Sequence, residues 1–203
     1  MCGIAGILLR QGTPDSARLK AAAAAIAHRG PDDTGIHVSG RAGLVHTRLS
    51  IIDIDGGHQP IRNAAGQLSL IANGEVYNYT ELTDEFVTAG CRFESRSDSE
   101  TILHAYAIHG DDFARHLHGM FAFALLDSGR DRLIIGRDRL GIKPLFYAQT
   151  PDRFVFASEL KALLPLLPFQ PEINPRALVE YLQNQFNTGE ETIFEGVRRV
   201  PPG

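Results

Sequence analysis

What most limits the fold of this chain is the grouping of its strand-like runs, which come in clusters with helix-forming segments between them. "GIAGILL" is a short apolar run bounded by the "QGTP" turn and reads as a buried strand. "DSARLKAAAAAIAHRG" offers Asp15 or Ser16 as N-cap, an alanine-rich body and Gly30 as the stop, so a helix follows. "GIHVS", "AGLVHTRLSII" and "QLSLIAN" read as further strands, separated by turns at "SGR" and "RNAAG". "YTELTDEFVTAG" and "SETILHAYAIHG" are helices that each close on glycine. "GMFAFALLD", "DRLIIGRD", "PLFYAQT" and "RFVFASE" are joined by short turns and predict an antiparallel meander. "LKALLPLLP" and "PRALVEYLQNQF" are helical pieces punctuated by prolines. Strand clusters set apart by helix clusters predict an α+β fold built in stacked layers.

Charge and apolar content narrow the function. The formal charge of −4 comes without any basic block, so nucleic acid and anionic membrane are not expected partners. No apolar run approaches the roughly 18 residues that a membrane-spanning helix needs. No charged leader precedes the first apolar run, and Cys2 and Cys91 stand far apart. A cytoplasmic protein without a disulfide framework is the expectation.

Several residues invite chemistry, and each also has a plain reading. Cys2 is either a small apolar residue on the first strand or, once Met1 is trimmed, an N-terminal thiol beside its own α-amine. "HRGPDDTGIH" reads as a turn. In "LVHTRLSIID", period 2 puts His46 and Arg48 on one strand face, and an arginine among apolar residues is costly without an anion. Asn73-Gly74 in "ANGEVYN" is a hairpin signal or, alternatively, a side-chain amide and a backbone N–H placed to hold an oxyanion. Asp98 in "SRSDSE" fits a helix N-cap, a place where a carboxylate can also meet an ammonium group. His116 and His118 lack acidic or cysteine neighbours and make a poor metal site. "GRDRLGIKP" fails as a phosphate loop because Ile142 separates Gly141 from Lys143.

Taken together and in order, "MCGIAGI", "RGPDDTG", "HTRLSIID", "GGHQPI", "NGEVYNY", "SDSETI", "MFAFALLD", "GRDRLGIKPLFYA" and "FASELKALL" resemble the glutaminase domain of the asparagine synthetases. That family belongs to the class II glutamine amidotransferases, which are N-terminal-nucleophile (Ntn) hydrolases. The resemblance implies a four-layer αββα sandwich, two antiparallel sheets between helix layers. It implies that Cys2, freed of Met1, attacks the side-chain amide of glutamine, with Asn73 and the Gly74 N–H as oxyanion hole. Arg48 would hold the substrate's α-carboxylate, and Glu75 and Asp98 its α-ammonium group. It further implies an amidotransferase domain over residues 1–190 and a linker over 191–203 toward a synthetase domain. That domain would use ATP and magnesium, whereas none is expected to bind this chain.

The pyrophosphate-binding SGGxDS stretch of such a domain does not occur in this sequence. Three readings therefore stand beside each other. The first is the glutaminase half of an asparagine synthetase-like enzyme, or an ammonia donor to another acceptor. The second is a non-catalytic Ntn-like scaffold that docks on a synthetase domain or forms a homodimer. The third is an Ntn peptidase or acylase acting on a different amide.

Overall fold

A strand that is apolar on both faces needs cover on both, and the first run shows how this chain supplies it. In the computed structural model, which describes residues 1–203, β1 (Gly3–Leu9) turns Ile4 toward one apolar layer and Ala5 and Ile7 toward another. Helix α1 (Ser16–Ala25) covers the second of these faces with Leu19 and Ala22. Its N-cap is Asp15, whose carboxylate accepts the Ala17 N–H at 2.8 Å, and it runs out through a 3₁₀ turn at Ala27–Arg29 to Gly30. Strands β2 (Asp33–Ser39), β3 (Ala42–Arg48), β4 (Ile61–Arg62) and β5 (Leu68–Val76) follow. Next come helices α2 (Tyr79–Thr88) and α3 (Glu100–His109), the latter closed by Gly110 at φ 58°. Strands β6 (Gly119–Asp127), β7 (Arg132–Arg137), β8 (Phe146–Gln149) and β9 (Arg153–Ala157) form the next cluster. Helices α4 (Leu160–Leu163) and α5 (Pro175–Asn184) precede the last strand, β10 (Val197–Arg199).

The strands build two antiparallel sheets, one in the order β10-β8-β9-β1-β3-β2 and the other β4-β5-β6-β7. Three apolar layers hold the stack together. Ile4, Leu44, Ile71, Ala122, Ala124 and Phe156 fill the space between the sheets. Leu70, Phe121, Phe123 and Leu125 pack under Phe86 of α2 and Ile102 of α3. Val45 and Val155 pack under α1 and α4. Four layers in the order helix, sheet, sheet, helix are the architecture that the sequence motifs imply.

The meander does not form. β6 and β7 pair in the smaller sheet and β8 and β9 in the larger, so the connection from Asp138 to Leu145 crosses between sheets. The buried Asp138 carboxylate shapes this crossover, accepting the N–H groups of Leu140, Ile142 and Lys143 at 3.1, 2.9 and 3.0 Å. Adjacent strand-like runs look alike in sequence whether the turn between them closes a hairpin or changes layer. Residues 191–203, expected as a linker, include β10, which pairs with β8 and buries Val197. No helix is long and apolar enough to cross a membrane.

Candidate active site

The strand face that carries the inter-sheet core carries polar residues at one end of the sandwich. Side chains alternate along a strand, so Cys2 shares a face with Ile4, His46 and Arg48 with Leu44, and Asn73 and Glu75 with Ile71. A cavity opens where the apolar filling stops. Cys2, Arg48, Asn73, Gly74, Glu75 and Asp98, the six residues expected to form the site, all line it.

Cys2 is half-buried. Its Sγ accepts the Leu49 N–H at 3.4 Å and lies 3.7 Å from the Leu49 carbonyl oxygen. Its own carbonyl accepts the Arg29 Nε–H at 2.9 Å. Met1 precedes it, exposed, so the Cys2 nitrogen is an amide as the chain stands.

Arg48 is buried, but no anion accounts for its place. Its guanidinium donates from Nη1 to Ile54 O at 2.9 Å and from Nη2 to Ile52 O at 3.1 Å and Asp53 O at 2.5 Å. The run expected to continue as strand through "LSII" instead leaves as a loop, and its carbonyls curl onto this side chain. Gly57 permits the curl, since a Cβ there would lie 2.4 Å from Arg48 Nη2. The Nε hydrogen and one Nη1 hydrogen stay available to a ligand. The loop is latched on its far side, where Asp53 Oδ2 accepts the Arg96 N–H at 2.8 Å.

Asn73-Gly74 is not a turn. Both residues lie inside β5, opposite Ala122 and Phe121. The Phe121 carbonyl is taken by Asp138 N–H at 2.8 Å, and Tyr77 N–H bonds His118 O across the β5–β6 pair at 2.7 Å. Antiparallel alternation therefore sends the N–H groups of Ala72, Gly74 and Val76 away from β6. Ala72 N–H finds Gln59 Oε1 at 2.6 Å and Val76 N–H finds Asp98 Oδ2 at 2.8 Å. Between them the Gly74 N–H faces the cavity. Asn73 Nδ2 is buried without a hydrogen-bond partner. Gly74 has φ 151°, and a Cβ there would lie 2.0 Å from Met120 O, so only glycine fits.

Asp98 is not an N-cap either, since α3 begins two residues later and its carboxylate serves β5 instead. Burial pushes the Asp98 carboxyl above the usual carboxylate range; the Val76 N–H opposes this and the Glu75 charge adds to it. Glu75 forms no ion pair and is half-buried.

Among the lining residues that the sequence reading did not single out, two bear on the site. Lys143, set aside with a loop that fails as a phosphate binder, buries its side chain and brings Nζ to 3.5 Å from Met1 Sδ. Gln59 lines the same cavity. A lysine in an apolar stretch was the one available signal for the first; a common Gln-Pro pair offered none for the second.

A thiol, two N–H donors without acceptors, unpaired carboxylates and a partly free guanidinium around one cavity can attack a carbonyl carbon and hold the resulting oxyanion. The family model described as a glutamine amidotransferase domain matches residues 1–203. The chain is 40% identical over 168 residues to asparagine synthetase [glutamine-hydrolyzing] 2 of Bacillus subtilis, covering 80% of this chain and 22% of that protein. It is 47% identical over 141 residues to asparagine synthetase B [glutamine-hydrolyzing] of Escherichia coli, covering 68% of this chain and 25% of that one. Thus it spans about a quarter of the length of these relatives. Among solved structures, the glutamine phosphoribosylpyrophosphate amidotransferase of B. subtilis superposes with a TM-score of 0.68 at 22% identity, over 86% of this chain and 46% of that chain. That likeness concerns the fold.

Proposed function

The chain belongs to the glutamine amidotransferase domain family, and from that premise we propose that it hydrolyses the side-chain amide of glutamine to glutamate and ammonia through a thioester on Cys2. The observation that carries this reading is the meeting of Cys2 with two acceptorless donors, Asn73 Nδ2 and the Gly74 N–H, at one cavity. Removal of Met1 turns the Cys2 nitrogen into a free α-amine. That amine takes the thiol proton as Sγ bonds to the amide carbon, and the carbonyl oxygen becomes an oxyanion held by Asn73 and Gly74. The amine then passes the proton to the leaving nitrogen, the C–N bond breaks, and ammonia departs from a γ-glutamyl thioester. Water attacks the thioester in turn, releasing glutamate and restoring the thiol.

The free hydrogens of Arg48 suit the substrate's α-carboxylate, and Glu75 and Asp98 suit its α-ammonium group. The ammonia is destined for ATP-dependent amidation of aspartate by a second domain, in which ATP and magnesium would act. Two free cysteines fit work in the reducing cytoplasm.

Intact mass before and after treatment with 6-diazo-5-oxo-L-norleucine tests the core of this reading. The thiol displaces dinitrogen from that reagent and forms a thioether. Loss of one methionine and a single adduct on the N-terminal peptide is the expected result, and glutamine should slow it. Retained Met1 and no adduct would instead identify a scaffold, and labelling that glutamine does not slow would identify another amide as substrate.

The raised Asp98 carboxyl sets an expected pH dependence. Only its ionised form attracts an ammonium group, so KM for glutamine should climb as pH falls, beginning above the ordinary carboxylate range. Asp98→Asn is expected to raise KM roughly tenfold to a hundredfold and to flatten this acid limb. A KM profile unchanged by the substitution would remove Asp98 from substrate binding.

A further inference from the structure

Beside the catalytic donors, β5 is missing half of its sheet. β4 pairs only Ile61 with Leu70 and Arg62 with Ser69. Continued in the same register, the chain would set Pro60 opposite Ile71 and Gln59 opposite Ala72. The pairing stops short of both positions, and Gln59 meets Ala72 through its side chain rather than its backbone. Two backbone groups of Ala72 are thereby left at a buried edge, and two side chains serve them. Gln59 Oε1 accepts the Ala72 N–H at 2.6 Å, and His46 Nε2 donates to the Ala72 carbonyl at 3.1 Å. That carbonyl belongs to the peptide group that carries the Asn73 nitrogen. The next outward N–H along the edge is that of Gly74.

From this geometry we infer that Gln59 is a positioning residue for glutamine hydrolysis: its carboxamide replaces the missing edge strand and fixes Asn73 and Gly74 in the attitude an oxyanion requires. The inference rests on the function proposed above. Three features support it. The orientation of the carboxamide is set by chemistry, because a backbone N–H needs an acceptor and only Oε1 is one. The origin of the side chain is set by packing, because the Gln59 carbonyl presses on Gly35 of β2, where a Cβ would lie 1.8 Å away. The companion bond is constant, because burial pushes the His46 imidazole down to about 4 and keeps it a neutral donor at working pH. A ladder strand would have held Ala72 equally well, yet it would have run on past Gly74 and covered its N–H. Two side chains hold the strand and leave that donor open.

The decisive experiment compares the whole chain with Gln59→Leu, which keeps the bulk and removes the acceptor. Ammonia release is measured per site, with sites counted by exhaustive labelling with 6-diazo-5-oxo-L-norleucine, and hydrogen exchange follows the Ala72 amide. The expected result is a kcat per labelled site lowered roughly tenfold to a hundredfold with KM within about twofold, because a donor displaced by about an ångström costs on that order. Faster exchange at Ala72 should accompany it. Activity that falls only in proportion to the labelled sites would show a role in folding alone and overturn the inference, as would an unchanged kcat. A wild-type chain that neither hydrolyses glutamine nor takes the label overturns the function as well. That failure is distinct, because in the other outcomes the wild type stays active.

Discussion

Cys2→Ala is expected to abolish glutamine hydrolysis, with a loss on the order of 10⁴-fold or more, because nothing else at the cavity can form the thioester. The fold should survive. Cys2 is half-buried, and its thiol hydrogen-bonds only with the Leu49 backbone, through weak sulfur bonds at 3.4 and 3.7 Å. The three apolar layers do not include it. Thermal unfolding of the variant should therefore stay within about 1 kcal/mol of the parent. Ammonia release and an unfolding curve on the same preparation check both halves. Near-parental activity would refute the nucleophile, whereas a collapsed unfolding midpoint would make the activity loss uninformative and call for Cys2→Ser.

Gly74→Ala should damage site and fold together. The new Cβ would fall 2.0 Å from Met120 O and 2.5 Å from Phe121 Cα, both backbone atoms of the paired strand. Neither can rotate away, so β5 and β6 must part, and both faces of these strands carry core: Leu70 and Phe121 on one, Ile71 and Ala122 on the other. With φ at 151° adding backbone strain, a destabilisation of roughly 2–4 kcal/mol is expected. For a chain of this size that corresponds to a fall of about 5–15 °C in Tm. Activity should drop on the order of 10²–10³-fold in the molecules that remain folded, since the Gly74 N–H no longer points into the cavity. Gly90→Ala is the control. Gly90 also has a positive φ, 92°, but a Cβ there meets nothing within 4 Å. A similar loss in both variants would mean that dihedral strain alone is responsible.

The elements themselves were largely legible in the sequence, because what defines them is local. Asp15 caps α1 through its own next turn, and Gly110 ends α3 because its φ of 58° suits glycine. Apolar runs without polar alternation announced strands covered on both sides. The six site residues were nameable because their motifs occur in a known order. The meeting of four of them follows from parity: Cys2, Arg48, Asn73 and Glu75 each continue a strand face that is apolar further in.

Local signals were wrong wherever a distant partner decided. Asn-Gly is a turn signal in isolation, yet here Met120 and Phe121 hold it inside a strand. Asp98 looks like a cap until Val76 comes within reach. Arg48 seemed to need an anion, and the loop carbonyls behind it already satisfy most of its hydrogens.

By itself, then, the sequence determined where most strands and helices lie, though not where each ends, together with the family and the residue types at the site, since these depend on neighbours a few positions away and on motif order. Only the tertiary structure decided that β7 and β8 lie in different sheets, that Lys143 reaches the cavity, and that β4 stops short so that Gln59 and His46 hold Ala72 while the Gly74 N–H stays open. An unpaired edge is created by the strand that is missing beside it, and whether a strand is missing depends on contacts between residues far apart in the chain.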